Sequence, residues 1–256
     1  MMLSAAVKAN TCIIGGNTMN QDGPDTGPVE TLRQPKRISL SEGVADSIAE
    51  AISTRVIQPG ERVVETTLAE KLGVSRVPIR EALKVLHAQG ILSGGGHKGY
   101  RIAAFDPQVT QQVMEARLAL ESILLRDAIE NWRSGVEDVG VLQKAIDEMR
   151  TSARAGNVRA SLLADLEFHR SIRLAARNTI VGTLWDTIAR HVMIVFNLDR
   201  YRDNDLEAIP KQHEEFRQFI LAEVAKPSSR FGDIAKALED HMLLIERTKR
   251  RNGQYS

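Results

Sequence analysis

The chain has 256 residues, which is enough for two domains of modest size. Hydrophobic residues make up 43% and charged residues 26%, the balance of an ordinary globular protein, and only 4% aromatic residues argues against binding single-stranded nucleic acid by stacking. The formal net charge is only +1, so any affinity for nucleic acid must come from a local basic patch.

The first 37 residues have the composition of a disordered tail, because Gly, Pro, Asn, Asp and Thr dominate and no apolar period is visible. Met19 is an alternative start within this tail. Cys12 is the only cysteine, so no intrachain disulfide can form, which fits a reducing cytoplasm. The apolar runs near Lys8 are too short for a signal peptide, and no run reaches the roughly 20 residues that span a bilayer. We therefore expect a cytoplasmic protein with no membrane segment.

A first helix is predicted from Ser39 to about Thr54. Ser39 and Glu42 have the spacing of a capping box, and the apolar residues that follow recur at the helical period. A turn at residues 59–60 then leads to residues 62–64, which can form a short strand. We expect this strand to pair with a later hairpin.

Two short helices are predicted on either side of Gly73. Before this glycine, apolar residues recur at helical spacing over 68–72. After it, Ser75 is suited to cap a second helix, whose apolar residues lie on one face while Arg76 and Arg80 lie on another. Two helices joined by a tight glycine turn, with the second one basic on its exposed side, are typical of a helix-turn-helix.

The period changes after Gly90. Residues 91–92 are apolar, residues 94–96 are all glycine, and residues 100–102 alternate, which together predict a β-hairpin with a glycine-rich tip. A helix-turn-helix followed by such a hairpin is a winged helix. Six Lys or Arg residues stand against two Asp or Glu residues over 66–102, which makes the compact basic surface that a DNA duplex requires.

From Asp106 onward, every periodic segment is helical. Asp106 is a suitable N-cap and is followed by proline at the first helical position, so residues 103–106 form a short linker. The rest of the chain, to about residue 250, predicts an all-helical bundle. Its helices are expected near 107–133, 138–154, 158–177, 179–199, 206–225 and 230–250.

Several short motifs stand at fixed offsets within residues 40–103. They are Pro59-Gly60-Glu61, Leu68-Ala69-Glu70, Gly73-Val74-Ser75-Arg76, Pro78-Ile79-Arg80-Glu81-Ala82-Leu83 and Gly90-Ile91-Leu92. Together they closely resemble the DNA-binding domain of GntR-type transcriptional regulators. The resemblance implies that residues 38–103 form a winged helix-turn-helix that binds a double-stranded DNA operator. Because dimer symmetry mirrors operator symmetry, we also expect a homodimer on an inverted repeat.

The residues expected to read DNA lie at the start of the second helix and at the wing. The N-terminal turn of a recognition helix enters the major groove, where a guanidinium can bridge O6 and N7 of guanine. Arg80 could instead pair with Glu81 or Glu50. By resemblance a phosphate contact falls on the start of the preceding helix, and the wing tip can reach the minor groove or backbone unless it is only solvated. The full set is Ser75, Arg76, Val77, Arg80, Thr66, His97, Lys98 and Gly99.

A second set of motifs lies within residues 107–250. It comprises Glu115-Ala116-Arg117 with Glu121, Asp165-x-x-Phe168-His169, Asn178, His213 and Asp240-His241. These motifs resemble the FCD effector domain of the FadR branch of the same family, whose members with this pattern bind a divalent metal through one Asp and three His. The resemblance implies metal ligation by Asp165, His169, His213 and His241. Zinc is the first candidate, with nickel, iron and manganese as alternatives.

The same resemblance implies a pocket for a small organic acid. Arg117 would clamp the carboxylate of this effector, because a guanidinium matches two oxygens at once. An ion pair with Glu121, four residues along the helix, is an equally open alternative. Asn178 and His191 are assigned to the same pocket, and His191 is also an alternative metal ligand.

The combined prediction is a ligand-responsive, homodimeric transcriptional regulator, acting as a repressor and not as an enzyme. Its fold is expected to be mainly α, with the winged helix-turn-helix followed by an all-α, FCD-like bundle over 107–250 that binds the effector and dimerises. Two alternatives stay open. One is a hydrolase whose metal site activates water, and the other is a regulator whose metal is purely structural.

Overall fold

The computed structural model describes residues 40–95, 99–200 and 206–251, with side chains for all of these except 196–200 and 243–251. The tail predicted over 1–37 and the wing residues His97 and Lys98 lie outside these ranges. Within them, no helix combines the length and the apolar character needed to cross a membrane.

A winged helix occupies the first part of the described chain. Its elements are α1 (Leu40–Ser53), β1 (Arg62–Val63), α2 (Glu65–Leu72), α3 (Arg76–Ala88), β2 (Leu92–Gly94) and β3 (Tyr100–Ile102). The strands form a sheet in the order β1-β3-β2, and both pairings are antiparallel. Arg62 stands opposite Arg101, so the predicted pairing of the early strand with the hairpin is confirmed.

The turn between α2 and α3 follows from Gly73. This residue has a left-handed φ of +64° at the end of α2, a conformation that glycine adopts without steric cost. The chain can therefore turn sharply into α3, whose apolar face packs into the interior of the winged helix. Ile48 of α1 and Ile79 and Leu83 of α3 are fully buried there.

Six longer helices follow in the described part of the chain. They are α4 (Pro107–Arg133), α5 (Val141–Arg154), α6 (Val158–Ala175), α7 (Thr179–Arg200), α8 (Ala208–Val224) and α9 (Phe231–Arg251). Asp106 caps α4 as predicted, since its carboxylate accepts a hydrogen bond from the Val109 amide at 2.9 Å. A mainly α fold, with a winged helix followed by a helical bundle, is therefore confirmed. The core that these six helices share includes Phe168 of α6 and Trp185 of α7, both fully buried.

The predicted start of α5 at residue 138 is three residues too early. The Asp138 carboxylate accepts a hydrogen bond from the Gly140 amide at 2.8 Å, which forms a local turn before the helix begins at Val141. Aspartate commonly binds the backbone two residues ahead in this way. Sequence periodicity did not detect this side-chain competition with the helix.

The helical bundle packs directly against the winged helix through α7. Met193 and Ile194 of α7 are buried in the same apolar cluster as Ile48 and Leu83. The described residues belong to one compact unit, so the predicted domain boundary at 103–106 stays a prediction.

Candidate functional site

The N-terminal part of α3 and its cap present the predicted DNA-reading residues at the surface. The Arg76 and Arg80 side chains are 56% and 54% exposed, and Ser75 and Val77 beside them are also exposed. Ser75 occupies the N-cap position, but its side chain makes no capping hydrogen bond. The start of α3 therefore exposes two guanidinium groups and two smaller side chains to solvent.

The remaining DNA candidates lie on neighbouring elements. Thr66 is exposed in the first turn of α2. Gly99 closes the wing loop, because its carbonyl accepts a hydrogen bond from the Gly95 amide at 2.9 Å. A Cβ at Gly99 would lie 3.4 Å from the Arg62 guanidinium, so a basic side chain covers this edge of the wing.

Glu65 contacts both α3 arginines, which sequence analysis did not anticipate. Its Oε2 lies 2.8 Å from Arg80 Nε and 3.6 Å from Arg76 Nη2. The hydrogen bond from Arg80 lowers the pKa of Glu65, so this carboxyl is ionised at neutral pH. The two predicted alternative partners of Arg80 were wrong, because Glu81 pairs with Lys84 and Glu50 pairs with Arg159.

Three histidines from three helices meet inside the bundle. His169 of α6, His213 of α8 and His241 of α9 are all buried, and each offers a ring nitrogen within 4.8 Å of the others. Asp165 lies one turn before His169, and its Oδ1 is 3.0 Å from His213 Nε2. The structure thus brings the three predicted histidine ligands together and places the predicted Asp165 ligand against one of them, His213.

Hydrogen bonds orient two of the imidazoles. His213 Nδ1 lies 2.9 Å from the Ile209 carbonyl and His169 Nδ1 lies 2.8 Å from Glu121 Oε2, so in each ring Nδ1 carries the proton and donates it. In the neutral His169 ring, Nε2 therefore keeps a lone pair, whereas His213 Nε2 faces the Asp165 carboxylate. Neither ring nitrogen of the buried His241 has a hydrogen-bond partner among the described residues. Desolvation lowers the pKa of His169 and, more strongly, that of His241, which favours the neutral form that binds metals.

Comparison with known proteins places the chain in a family. The model of the gntR family of bacterial regulatory proteins matches residues 40–102, and the FCD domain model matches residues 112–226. A probable D-xylose utilization operon transcriptional repressor of Paenarthrobacter nicotinovorans is 30% identical over 165 residues, which cover 64% of this chain and 72% of that protein. The chain belongs to the GntR family. It is therefore a DNA-binding transcriptional regulator with an FCD domain.

Further relatives of this GntR-family regulator support the same conclusion. The gluconate operon transcriptional repressor of Bacillus subtilis is 23% identical over 234 residues, which cover 86% of this chain and 93% of that repressor. The solved structure of McbR/YncC from E. coli has a TM-score of 0.70 at 19% identity and covers 84% of this chain and 99% of that one, which shows a shared fold. These families and relatives are transcriptional regulators and not enzymes.

The residues of this GntR-family protein fit a divalent metal ion. Three imidazoles and a carboxylate form a nitrogen and oxygen donor set that suits zinc and other divalent transition metals. The ring nitrogens of His241 support this fit, because both are buried without a hydrogen bond among the described residues. A buried polar atom without a partner is costly unless something else, such as an ion, binds it. His241 lies beyond the FCD match, so only the packing of α9 places it here.

Behind His169, this regulator carries a buried charge network around Glu121. Glu121 Oε1 accepts hydrogen bonds from Arg117 Nε at 2.8 Å and from Trp185 Nε1 at 2.9 Å, while Oε2 contacts His169. Burial by itself would raise the pKa of Glu121, but the Arg117 charge and the bonds from His169 and Trp185 outweigh it and hold the pKa at about 2. The Arg117–Glu121 ion pair is thus present, and a further role of Arg117 in binding an acid stays a prediction.

The structure does not group Asn178 and His191 with the histidine cluster. The Asn178 amide donates to Asp127 at 2.8 Å, and its oxygen accepts from the Val181 amide at 3.1 Å. His191 is hydrogen-bonded to the backbone of Gln89 in the winged helix, and burial lowers its pKa. Asn178 therefore connects α4 with the start of α7, and His191 connects α7 with the winged helix.

Proposed function

We propose that this GntR-family regulator is a homodimeric repressor that acts in the cytoplasm and releases its operator in response to a small organic acid. The observation that carries this proposal is the convergence of three buried imidazoles and one carboxylate inside the helical bundle. The donor groups of this site are kept away from water at a cost in stability, which a bound ion would offset.

On the DNA side, the proposed contacts are made by the exposed N-terminal part of α3. Arg76 and Arg80 would contact base edges in the major groove, with Ser75 and Val77 beside them. Thr66, the wing residue Gly99 and the wing-tip residues outside the described ranges, His97 and Lys98, would contact the backbone or the minor groove. Two copies of the winged helix would match the two halves of an inverted repeat.

In the bundle, the proposed metal ligands are Asp165, His169, His213 and His241. A bound divalent ion, with zinc as the first candidate, would supply a Lewis-acidic anchor for an effector carboxylate. His169 is held in the required tautomer by Glu121, and Arg117 brings a positive charge to the same network. Repression is proposed because two relatives are named as operon repressors.

The first experiment is elemental analysis of the protein purified without added metal, combined with native mass spectrometry for a retained acid. We expect about one divalent ion per chain, lost in His241→Gln and kept in the control His87→Gln, which changes an exposed histidine of α3. Equal metal content in both variants would contradict the proposed ligand set.

The effector is tested by thermal shift with a panel of small mono-, di- and hydroxycarboxylic acids, followed by operator release. We expect at least one acid to raise the melting temperature of the metal-loaded protein and to weaken its binding to operator DNA. If metal stabilises the protein but no acid does, the purely structural alternative holds and the proposed sensing function is wrong.

A further inference from the structure

The arginines of α3 are not the only charged groups on the proposed DNA-reading surface. Glu65, in the first turn of α2, is an acid from the other helix of the helix-turn-helix, and one of its oxygens contacts both Arg76 and Arg80. An acid here reduces attraction to phosphate, because DNA affinity depends on the positive charge presented to the duplex. Glu65 is therefore expected to weaken non-specific DNA binding, and a benefit elsewhere in DNA recognition would explain its position.

The geometry of the Arg80 contact indicates what that role is. Glu65 accepts its hydrogen bond from Arg80 Nε, on the side of the guanidinium. The two terminal amino groups of Arg80, Nη1 and Nη2, are still available in the described structure as a pair of parallel donors. Such a pair can bridge O6 and N7 of one guanine.

Because Arg76 and Arg80 are exposed, we expect their contact with Glu65 to affect the orientation of the two side chains more than the stability of the fold. Both arginines are more than half exposed, so packing does not hold their side chains in place. Surface ion pairs contribute little to folding, but an arginine that is already oriented loses less conformational freedom when it binds. The benefit of the Glu65 contact is therefore expected mainly when DNA binds.

We propose that Glu65 is a positioning residue for sequence discrimination, which orients Arg76 and Arg80 toward base edges and disfavours DNA that offers only phosphates. This inference rests on the proposed reading of the operator by α3. It predicts opposite effects on non-specific and operator DNA. Removing the carboxylate removes a repulsion toward the phosphates of any duplex, which strengthens non-specific binding. It also removes an orienting contact that only operator binding needs, which weakens discrimination.

The test compares Glu65→Ala with Glu70→Ala in the full-length protein. Glu70 is exposed on the same helix and has no ion pair among the described residues, so the two variants share the charge change but not the arginine contact. Dissociation constants are measured by fluorescence anisotropy at one fixed salt concentration. The probes are a duplex selected by the wild-type protein from a random pool and a scrambled duplex of the same composition.

The specificity ratio is the dissociation constant for the scrambled duplex divided by that for the selected duplex. For Glu65→Ala, we expect the scrambled duplex to bind about threefold more tightly and this ratio to fall by about tenfold. For Glu70→Ala, the ratio should stay within about twofold of the wild type. The conservative variant Glu65→Gln keeps an oxygen acceptor and should fall between these limits. A ratio unchanged in Glu65→Ala, or reduced equally in Glu70→Ala, would overturn the inference.

Arg76→Ala and Arg80→Ala, measured on the same two duplexes, separate this inference from the function on which it rests. If the arginine variants lower the ratio and Glu65→Ala does not, only the positioning role is wrong. If neither arginine variant changes the ratio, or if selection yields no preferred duplex, the proposed DNA reading by α3 is itself wrong. Melting temperatures near that of the wild type confirm that each variant is folded.

Discussion

At the scale of single residues, Glu121 decides the chemistry of the histidine cluster although it is not one of the proposed ligands. One of its oxygens accepts two hydrogen bonds, from Arg117 and Trp185, and the other contacts His169 Nδ1. Because an ionised carboxylate can only accept, it forces the proton of His169 onto Nδ1. The tautomer that the proposed metal site requires is thus fixed by a residue on another helix.

The variant Glu121→Gln is expected to reverse this tautomer. Its oxygen can still accept from Arg117 and Trp185, so its amino group faces His169 Nδ1 and moves the imidazole proton to Nε2. Metal affinity should fall by about 10- to 100-fold, as it does when groups that support metal ligands are removed. Competition with a chromophoric chelator measures this, and Glu115→Gln, exposed on the same helix, is the control. A folded Glu121→Gln protein with wild-type metal affinity would contradict the assignment.

At the scale of elements, backbone conformation explains where α2 ends and α3 begins. Gly73 has a φ of +64°, and a Cβ built there meets no atom within 4 Å. Replacing this glycine is therefore opposed by the left-handed backbone conformation and not by a steric clash with neighbouring groups. Gly43, the fourth residue of α1, also has open space where a Cβ would lie but does not have a positive φ. The two glycines therefore differ in the conformational requirement and not in packing.

We expect Gly73→Ala and Gly43→Ala to change stability in opposite directions. Gly73→Ala should lower the free energy of unfolding by about 1 kcal/mol, because alanine is strained in the left-handed region. Gly43→Ala should raise it by about 0.5–1 kcal/mol, because alanine is the better helix former. Urea unfolding of both variants measures these changes. Stabilisation by Gly73→Ala would show that the turn does not need the left-handed conformation.

The helix α7 has contacts in both regions of the molecule. Trp185 binds Glu121 near the histidines, and Arg190, 10% exposed, donates to Glu42 and, at 2.8 Å, to Asp46 on α1. A single helix thus joins the network behind the histidine cluster to the winged helix.

A double-mutant cycle of Arg190→Ala and Asp46→Ala is expected to reveal coupling across this junction. Arg190→Ala should cost about 1–3 kcal/mol of stability, because it removes a cation that two acids contact, and the Arg190–Asp46 coupling energy should be about 1 kcal/mol. Chemical denaturation of the four proteins provides the values. The matched control is Arg170→Ala, which removes a half-exposed arginine from the loose pair with Glu167. Additive effects in the cycle would show that the contact is not energetically significant.

At the scale of the whole molecule, the histidine cluster connects helices that are distant in sequence. Its three imidazoles come from α6, α8 and α9, and α6 and α4 share the Glu121–His169 contact. A ligand that binds only the folded arrangement stabilises everything that unfolds with it. The shared apolar cluster of α7 and the winged helix extends this cooperative unit.

Metal removal is therefore expected to weaken more than the site itself. At a metal concentration about 100 times the dissociation constant, the stabilisation should be about 2.7 kcal/mol, and a chelator should lower the melting temperature accordingly. Hydrogen exchange should rise in α6, α8 and α9, with a smaller rise in the α1 segment that packs on α7. Mass spectrometry of exchange with and without chelator measures this, and a change confined to a few residues around His241 would show that the regions unfold independently.

Local signals in the sequence were sufficient for the family and for the elements, apart from the start of α5. Asp106 before Pro107 marks the start of α4, Gly73 marks the end of α2, and both work through backbone groups only a few residues away. Asp165 and His169 share a helical face for the same reason, since a spacing of four residues fixes their relative direction. Such features depend on dihedral preferences and helical period, which the chain carries within itself.

Only the tertiary structure decided which polar side chains meet. Glu65 and Arg80 are 15 residues apart, Glu121 and Trp185 are 64 apart, and Arg190 and Asp46 are 144 apart. The angle and depth at which two helices pack determine these pairs, and that packing follows from the fit of whole apolar faces. The resemblance could name His241 as a ligand, but its place beside His213 depends on how α9 closes against α8.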